Sequence, residues 1–243
     1  MYKTSASLVL AFWILWIAPA QSSEATAPAA PPVVLPNGNV MAQLSTLRDN
    51  FISTIKSSGF QPSLPPPTIL LDNPPSYGDF EEDTNELHIS VWSALTKEQQ
   101  GRFERLSELL NNGKSAEQTF DESVHHWIFV HELGHWWQAC QHEISANHYS
   151  VEYGANRIAA AYWRQTDPNF MSRVESRMTK VIGTLQSPLP EGVAKEAYFN
   201  ANYDRLGPTP DYIWFQYSMV LSVQRERPPP SFAQTLRHPV IPQ

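Results

Sequence analysis

The fold is decided by residues 124–165, which read VHHWIFVHELGHWWQACQHEISANHYSVEYGANRIAAAYWRQ. This stretch contains no proline, and its first half is rich in apolar residues. It therefore predicts a helix over residues 124–139, with Asp121 or Ser123 as the N-cap. A second helix is predicted from about Ser150, or a few residues earlier, to residue 165. The decisive part of the chain is thus a pair of consecutive helices.

The first of these helices carries a motif of the form H-E-x-x-H, at His131-Glu132-Leu133-Gly134-His135. Residues four apart lie on one face of a helix, so the two imidazoles can bind one Zn²⁺ at about 2.0–2.1 Å. Glu132 lies about 100° further round the helix, where it can reach a water on the metal. We therefore predict His131 and His135 as metal ligands and Glu132 as the catalytic general base.

A catalytic zinc site needs a third protein ligand and one open position. The metzincin pattern would place Gly at 138 and His at 141, where this chain has Gln138 and Gln141, so that class is rejected. Glu152 lies on a face of the second helix that is otherwise mostly small and apolar, and an acid there needs a cationic partner. We predict Glu152 as the third ligand. The rival ligands are His142, Glu143 and His148.

Asn156 follows Glu152 by four residues and shares its helix face. We predict that it accepts a hydrogen bond from a ligand histidine and fixes the tautomer of that ring. The alternative is a polar residue that meets solvent. Gly134 costs about 1 kcal/mol relative to Ala inside a helix. A close approach of the two helices would explain Gly134 together with Gly154 and Ala155, and a merely tolerated glycine is the alternative.

The motif followed by Glu152-Tyr153-Gly154-Ala155-Asn156 resembles the gluzincin metallopeptidases. Among them it is similar to the ImmA/IrrE-type group, in which HExxH precedes an E-x-x-A-N/D helix. The resemblance covers residues 124–165 and the strand predicted before them. It implies that the two histidines and the later glutamate bind zinc, that the glutamate of HExxH activates water, and that residues 86–92 border the substrate cleft. The chain departs from that group in its predicted export and its long helical C-terminal part, so the group's substrates are not carried over.

The remaining pattern predicts the elements that surround the motif helices. We expect a helix over 41–56, strands over 68–71, 77–81 and 86–92, a helix from 96 to about 110, and two or three helices within 170–226. The fold class is α+β: mostly helical, with a small antiparallel sheet, a zincin-like (minimal gluzincin) core and a helical C-terminal part. Residues 41–226 are predicted to form the metallopeptidase-like domain, and residues 227–243 a proline-rich tail.

The N-terminus has the pattern of an export signal. Lys3 precedes the apolar run LVLAFWILWIA over residues 8–18, and small residues follow at Ala18-Pro19-Ala20. The run is shorter than the ~20 residues of a membrane span. We predict a signal peptide over 1–20, a Pro/Ala-rich linker over 21–40, and a periplasmic or extracellular protein without stable membrane insertion. An uncleaved N-terminal anchor is the alternative.

Composition narrows the function classes. The formal net charge is −7, and the basic residues are scattered, which argues against nucleic acid as a partner. The single cysteine, Cys140, excludes an intramolecular disulfide. We predict zinc-dependent hydrolysis of peptide bonds in a peptide or protein substrate, with one Zn²⁺ per chain. The alternatives are a catalytically silent zinc-binding scaffold or interaction protein of the cell envelope, and a chain whose motif binds no metal.

The oxyanion-stabilising residue is left open by the sequence. A tyrosine can donate its hydroxyl to a developing oxyanion. The sequence does not choose among the candidates, which are Tyr153, Tyr162, Tyr198, Tyr203 and Tyr212.

Overall fold

The structure is a computed structural model that describes residues 37–143, 147–207 and 209–240. The predicted signal peptide and most of the predicted linker lie outside the described residues. The described residues belong to one structural unit. None of the described helices has both the length and the apolar character that a membrane span requires.

The mostly helical α+β fold is confirmed. The strands are β1 (Thr68–Asp72), β2 (Gly78–Glu81) and β3 (Glu86–Ser90). The helices are α1 (Asn37–Ser57), α2 (Lys97–Leu110), α3 (Ala116–Asp121), α4 (Phe129–Cys140), α5 (His148–Thr166), α6 (Pro168–Ile182), α7 (Lys195–Leu206), α8 (Pro210–Arg225) and α9 (Phe232–Arg237). A short 3₁₀ helix over Trp92–Ala94 and a π-helical segment over Glu122–Ile128 complete the described elements.

The sheet is mixed, so the prediction of an antiparallel sheet was wrong. β3 lies in the middle, pairs in parallel with β1 and pairs antiparallel with β2. The turn between β2 and β3 contains Asn85 at a φ of 54°, a conformation that asparagine tolerates. The alternation of apolar and polar residues is the same for either pairing direction, so the sequence pattern did not reveal that β3 inserts beside β1. As a result, β2 is an edge strand.

The helical run that carries the motif begins earlier than predicted. Ser115 caps it through a reciprocal pair of hydrogen bonds with Gln118, and the run continues through α3 and the π-helical segment into α4. Asp121 does not act as a cap; its Oδ1 lies 2.9 Å from Nδ1 of His125. The capping box satisfies free backbone N–H groups at the true start, which is why the helix begins there.

α4 and α5 pack closely because small residues meet between them. A Cβ added to Gly134 would lie 3.1 Å from Cα and 3.2 Å from the carbonyl oxygen of Ala155. Such distances are shorter than ordinary van der Waals contact, so an alanine here would require α5 to move by a few tenths of an ångström. The predicted close approach is therefore confirmed.

The C-terminal segment is part of the core and does not form the predicted tail. Phe232 and Leu236 are fully buried, and the indole N–H of Trp137 donates to the carbonyl of Leu236 at 2.9 Å. Gln138 donates to the carbonyl of Pro239 at 2.8 Å. The proline content of the segment suggested a tail, but its apolar residues bury against α4 and α5, and that burial decides its place.

α7 and α8 form a second apolar cluster next to α5. Its buried members are Phe199, Leu206, Phe215 and Met219. Tyr149 and Tyr153 of α5 pack against this cluster. The helical C-terminal part is thereby held against the helix that carries Glu152.

Candidate metal centre

Three side chains from α4 and α5 converge on one point. His131, His135 and Glu152 each offer one ligand atom, and these atoms all lie within 4.8 Å of one another. The Nε2 atoms of the two histidines are 3.1 Å apart. Oε2 of Glu152 lies 3.1 Å from Nε2 of His131 and 3.6 Å from Nε2 of His135. This group can hold a metal ion.

The spacing of the three atoms fits a shared ion. Two ligands at about 2.0–2.1 Å from a tetrahedral metal lie about 3.3 Å apart. The three observed separations, 3.1, 3.1 and 3.6 Å, fall around that value. Glu152 is only 4% exposed and His131 only 7%. A cation would compensate the buried carboxylate and would use both imidazole lone pairs.

Glu152 is oriented by the helical C-terminal part. Its Oε1 accepts hydrogen bonds from the hydroxyls of Tyr203 at 3.0 Å and Tyr212 at 3.2 Å. Its Oε2, which faces the histidines, accepts one from Nε2 of Gln216 at 2.8 Å. These donors fix the carboxylate so that Oε2 is presented to the ion position. No periodic pattern along the chain links these residues of α7 and α8 to Glu152.

Asn156 does not make the predicted contact with a ligand histidine; it contacts Gln216 of α8 instead. Its Nδ2 donates to Oε1 of Gln216 at 2.7 Å, while its Oδ1 has no partner among the described residues. The predicted hydrogen bond from a ligand histidine to Asn156 is therefore not formed. Asn156 shares a helix face with Glu152, as expected, but Gln216 of α8 takes its hydrogen bond. Asn156 thus positions Gln216, and through it Glu152.

Gln138 makes the contact with a ligand histidine that the sequence predicts for Asn156. Its Oε1 lies 2.8 Å from Nδ1 of His135. Nε2 of Gln138 donates to the carbonyls of Val151 and Pro239, both at 2.8 Å, so the amide oxygen is free to accept from the ring. This arrangement leaves Nε2 of His135 as the atom with a lone pair for the metal. The available sequence pattern was the position of Gln138 three residues after His135, which places both on one helix face.

The electrostatics of the group favour a bound cation. Burial opposes ionisation of Glu152, but hydrogen bonds with His131 and His135 outweigh it and hold the pKa of Glu152 well below its usual range. Burial also opposes a charge on His135, yet Glu152 and Glu132 raise the pKa of His135 to about 9. The protein without metal therefore keeps a proton between these groups, and a divalent cation would replace it.

Glu132 lines the cavity beside the three convergent side chains. Burial raises its pKa; the nearby histidines lower it, and Glu152 and Asp79 raise it further. Among the residues that the structure describes, none forms a hydrogen bond with its carboxylate. A buried carboxylate with a raised pKa and free oxygens is suited to accept a proton.

A cavity of about 880 Å³ opens on this group. The strand that borders it is β2, through Gly78, Asp79 and Phe80, and not the predicted segment 86–92. β3 lies in the middle of the sheet, while β2 is the edge strand that packs against α4. The backbone of β2 lies close to the π-helical segment at Gly78, because a Cβ there would overlap Cγ2 of Ile128.

The rival ligands stand outside the convergent group. His142 and Glu143 are exposed, just after the end of α4. The ring of His148 stacks on Tyr203, with ring centroids 3.9 Å apart. Of the candidate tyrosines, Tyr203 and Tyr212 reach Glu152, whereas Tyr153 donates to Glu226 at 3.2 Å.

Comparisons with protein-family models, with curated proteins and with solved structures found no match to this chain. The assignment of chemistry therefore depends on the residues and their geometry.

Proposed function

We propose that this protein is a zinc metallopeptidase of the gluzincin type. The observation that carries the proposal is the position of Glu132, an unpaired carboxylate of raised pKa, beside a buried group of two imidazoles and one carboxylate. Two histidines and one glutamate are a ligand set of catalytic zinc sites, in which a fourth position stays open. The same ligands bind other divalent transition metals, so the identity of the metal as zinc is part of the proposal.

When bound, zinc supplies a Lewis acid and lowers the pKa of a bound water towards ~7. The residues of the chain bind the ion, orient its ligands and transfer the proton. His131, His135 and Glu152 would hold the ion, while Tyr203, Tyr212 and Gln216 keep the carboxylate of Glu152 in place. Glu132 accepts the proton of the attacking water on its carboxylate and then delivers it to the leaving amine.

The edge strand β2 supports an extended peptide as the substrate. One side of β2 pairs with β3, and within the described ranges no strand pairs with its outer side. A peptide in extended form can add to such an edge by main-chain hydrogen bonds. The cavity beside β2 leads to Glu132, so this edge would align a peptide bond with the general base.

We also propose that the chain is exported, on the basis of residues 1–20. A periplasmic or extracellular location would bring the protein to substrates outside the cytoplasm. Mass determination of the N-terminus of the protein from its native host tests this proposal, and a mature chain that begins near residue 21 is expected.

Elemental analysis and hydrolysis of a mixed peptide library test the function together. We expect one zinc per chain, lost in His131→Ala and in Glu152→Ala, and we expect Glu132→Gln to keep its zinc while hydrolysis falls by several orders of magnitude. Glu143→Gln, which changes an exposed acid at the cavity rim, is the matched control and should retain both. Zinc without hydrolysis would favour the silent scaffold, and no bound metal would reject the proposal.

A further inference from the structure

We infer that Arg177 forms a binding site for a carboxylate of the substrate at the far end of the cavity. Substrates would then carry either a nearby free C-terminus or an acidic side chain. The inference rests on the proposed function only in treating this cavity as the place where substrate binds.

Arg177 is a buried cation without an acidic partner. Its side chain lies on α6, is 6% exposed and lines the cavity. Nη1 donates to Oγ of Ser123 at 3.1 Å, and Nε has no hydrogen-bond partner among the residues that the structure describes. In the described part of the chain, no carboxylate oxygen lies within ion-pair distance of its guanidinium.

The nearby acid is already engaged. Glu122 is paired with Lys114 and with Arg173, whose Nε lies 3.3 Å from its carboxylate. Burial lowers the pKa of Arg177, but an arginine side chain remains charged in proteins. A buried charge that lacks a partner is unfavourable, and such groups are retained where they bind a charged ligand.

The surroundings of Arg177 fit the chain of a peptide. Trp127, Met178 and Val181 line the same cavity as Arg177 and give it apolar surface. The planar guanidinium presents several N–H groups, which suits a carboxylate held by two parallel hydrogen bonds. A cavity with apolar lining and one buried cation selects an apolar segment that ends in, or contains, an acid.

The distance to the metal centre sets the position of that acid. Ser123, Trp127 and His131 line the cavity at successive intervals of four residues. Ser123 stands eight residues before His131 in the same continuous helical run, a separation of roughly 11 Å. An extended peptide rises about 3.3 Å per residue, so the acid would lie about three residues from the bond to be cut.

A binding experiment with defined peptides tests this inference. The probes are a fluorescent, N-acetylated apolar hexapeptide with a free C-terminal carboxylate, its C-terminal amide, and the amide with one internal Glu. Binding is measured on the full chain with Glu132→Gln, which prevents turnover. We expect a carboxylate-bearing probe to bind about tenfold or more tightly than the plain amide, because charge-assisted hydrogen bonds are strong. Whether the free acid or the Glu probe binds better identifies the source of the carboxylate.

Arg177→Met should bring that affinity ratio to about one, with little change in affinity for the plain amide. The matched control is Arg173→Met, which removes the same charge from an exposed position one turn earlier on α6. If Arg177→Met does not fold, Arg177→Lys should still lower the ratio, because lysine cannot form the planar two-bond contact. The inference is overturned by an unchanged ratio in the Arg177 variant, by a ratio near one in its parent, or by no binding of either carboxylate probe.

The two proposals can fail separately. Binding is measured without hydrolysis, so a chain that lacks peptidase activity can still show the Arg177-dependent preference. Conversely, hydrolysis of the peptide library with no preference for carboxylate probes would keep the proposed function and reject the site at Arg177.

Discussion

Gly134 packs directly on the backbone of Ala155, and this contact sets the separation of the two helices that carry the candidate metal centre. A Cβ on Gly134 would meet Cα, the carbonyl oxygen and Cβ of Ala155 at 3.1, 3.2 and 3.3 Å. Two of these atoms belong to the backbone, so they yield only if α5 moves. Because Glu152 lies on α5 and the histidines on α4, this contact helps determine the distance between the ligands.

The first prediction concerns this helix contact. Gly134→Ala should push α5 away by a few tenths of an ångström and lower the affinity for zinc, although alanine is the better helix former by about 1 kcal/mol. The control is Gly101→Ala in α2, where the nearest atom is a side-chain nitrogen of Arg105 at 3.5 Å. That variant should raise stability without a change in zinc affinity. Competition with a chromophoric chelator measures the zinc affinity of both variants, and equal affinities would contradict the role of Gly134.

Gln138 gives the second prediction. Gln138→Leu removes the acceptor for Nδ1 of His135, so the ring tautomer is no longer fixed. We expect zinc affinity to fall about 10- to 100-fold, as is usual for partners of ligand histidines. Gln141→Leu, at the exposed end of α4, should leave zinc affinity within about twofold of the parent. Isothermal titration with zinc distinguishes the two variants.

The third prediction concerns pH. In the protein without metal, the pKa of His135 is about 9, above its ordinary value of 6.5. A group whose pKa is raised by folding stabilises the folded state at low pH, and this contribution is lost as the pH rises from about 6.5 to 9. The melting temperature of the metal-free protein should therefore fall across this range. Zinc-loaded protein should show a smaller fall, because the metal keeps His135 deprotonated. An equal fall of the melting temperature with pH in the presence and absence of zinc would reject this explanation.

Tyr203 gives the fourth prediction. Its hydroxyl donates to Oε1 of Glu152, and Tyr212 donates to the same oxygen. Tyr203→Phe should therefore retain most of its zinc but lower kcat about tenfold, because Glu152 loses one of its two hydroxyl donors while Tyr212 keeps the other. Tyr153→Phe, which loses only the contact with Glu226, should keep kcat within about twofold. A similar loss in both variants would point to a structural effect.

The fifth prediction tests the packing of the C-terminal segment. Leu236→Ala should lower the free energy of unfolding by about 2–5 kcal/mol, because Leu236 is fully buried. Arg237→Ala changes the next residue, which is exposed, and should have an effect below about 0.5 kcal/mol. Urea unfolding measures both changes. Equal midpoints would mean that residues 227–240 behave as the tail that their composition suggested.

The sequence by itself determined the group that can hold a metal. The spacing of His131 and His135 is a helical repeat, and Glu152 stood out as an acid on a mostly small and apolar face. The same local periodicity predicted most helices and the three strands. These features depend on neighbours along the chain, and helix and strand geometry translates such neighbours directly into shared faces.

Only the tertiary structure decided which strand borders the cavity, how the C-terminal segment packs, and which residues hold the ligands in place. Gln138 rather than Asn156 contacts a ligand histidine, because α8 packs over Asn156 and engages it through Gln216. Tyr203, Tyr212 and Gln216 are 51 to 64 residues from Glu152 in the chain. Contacts of that kind depend on how apolar faces bury against each other, and one-dimensional periodicity does not encode that choice.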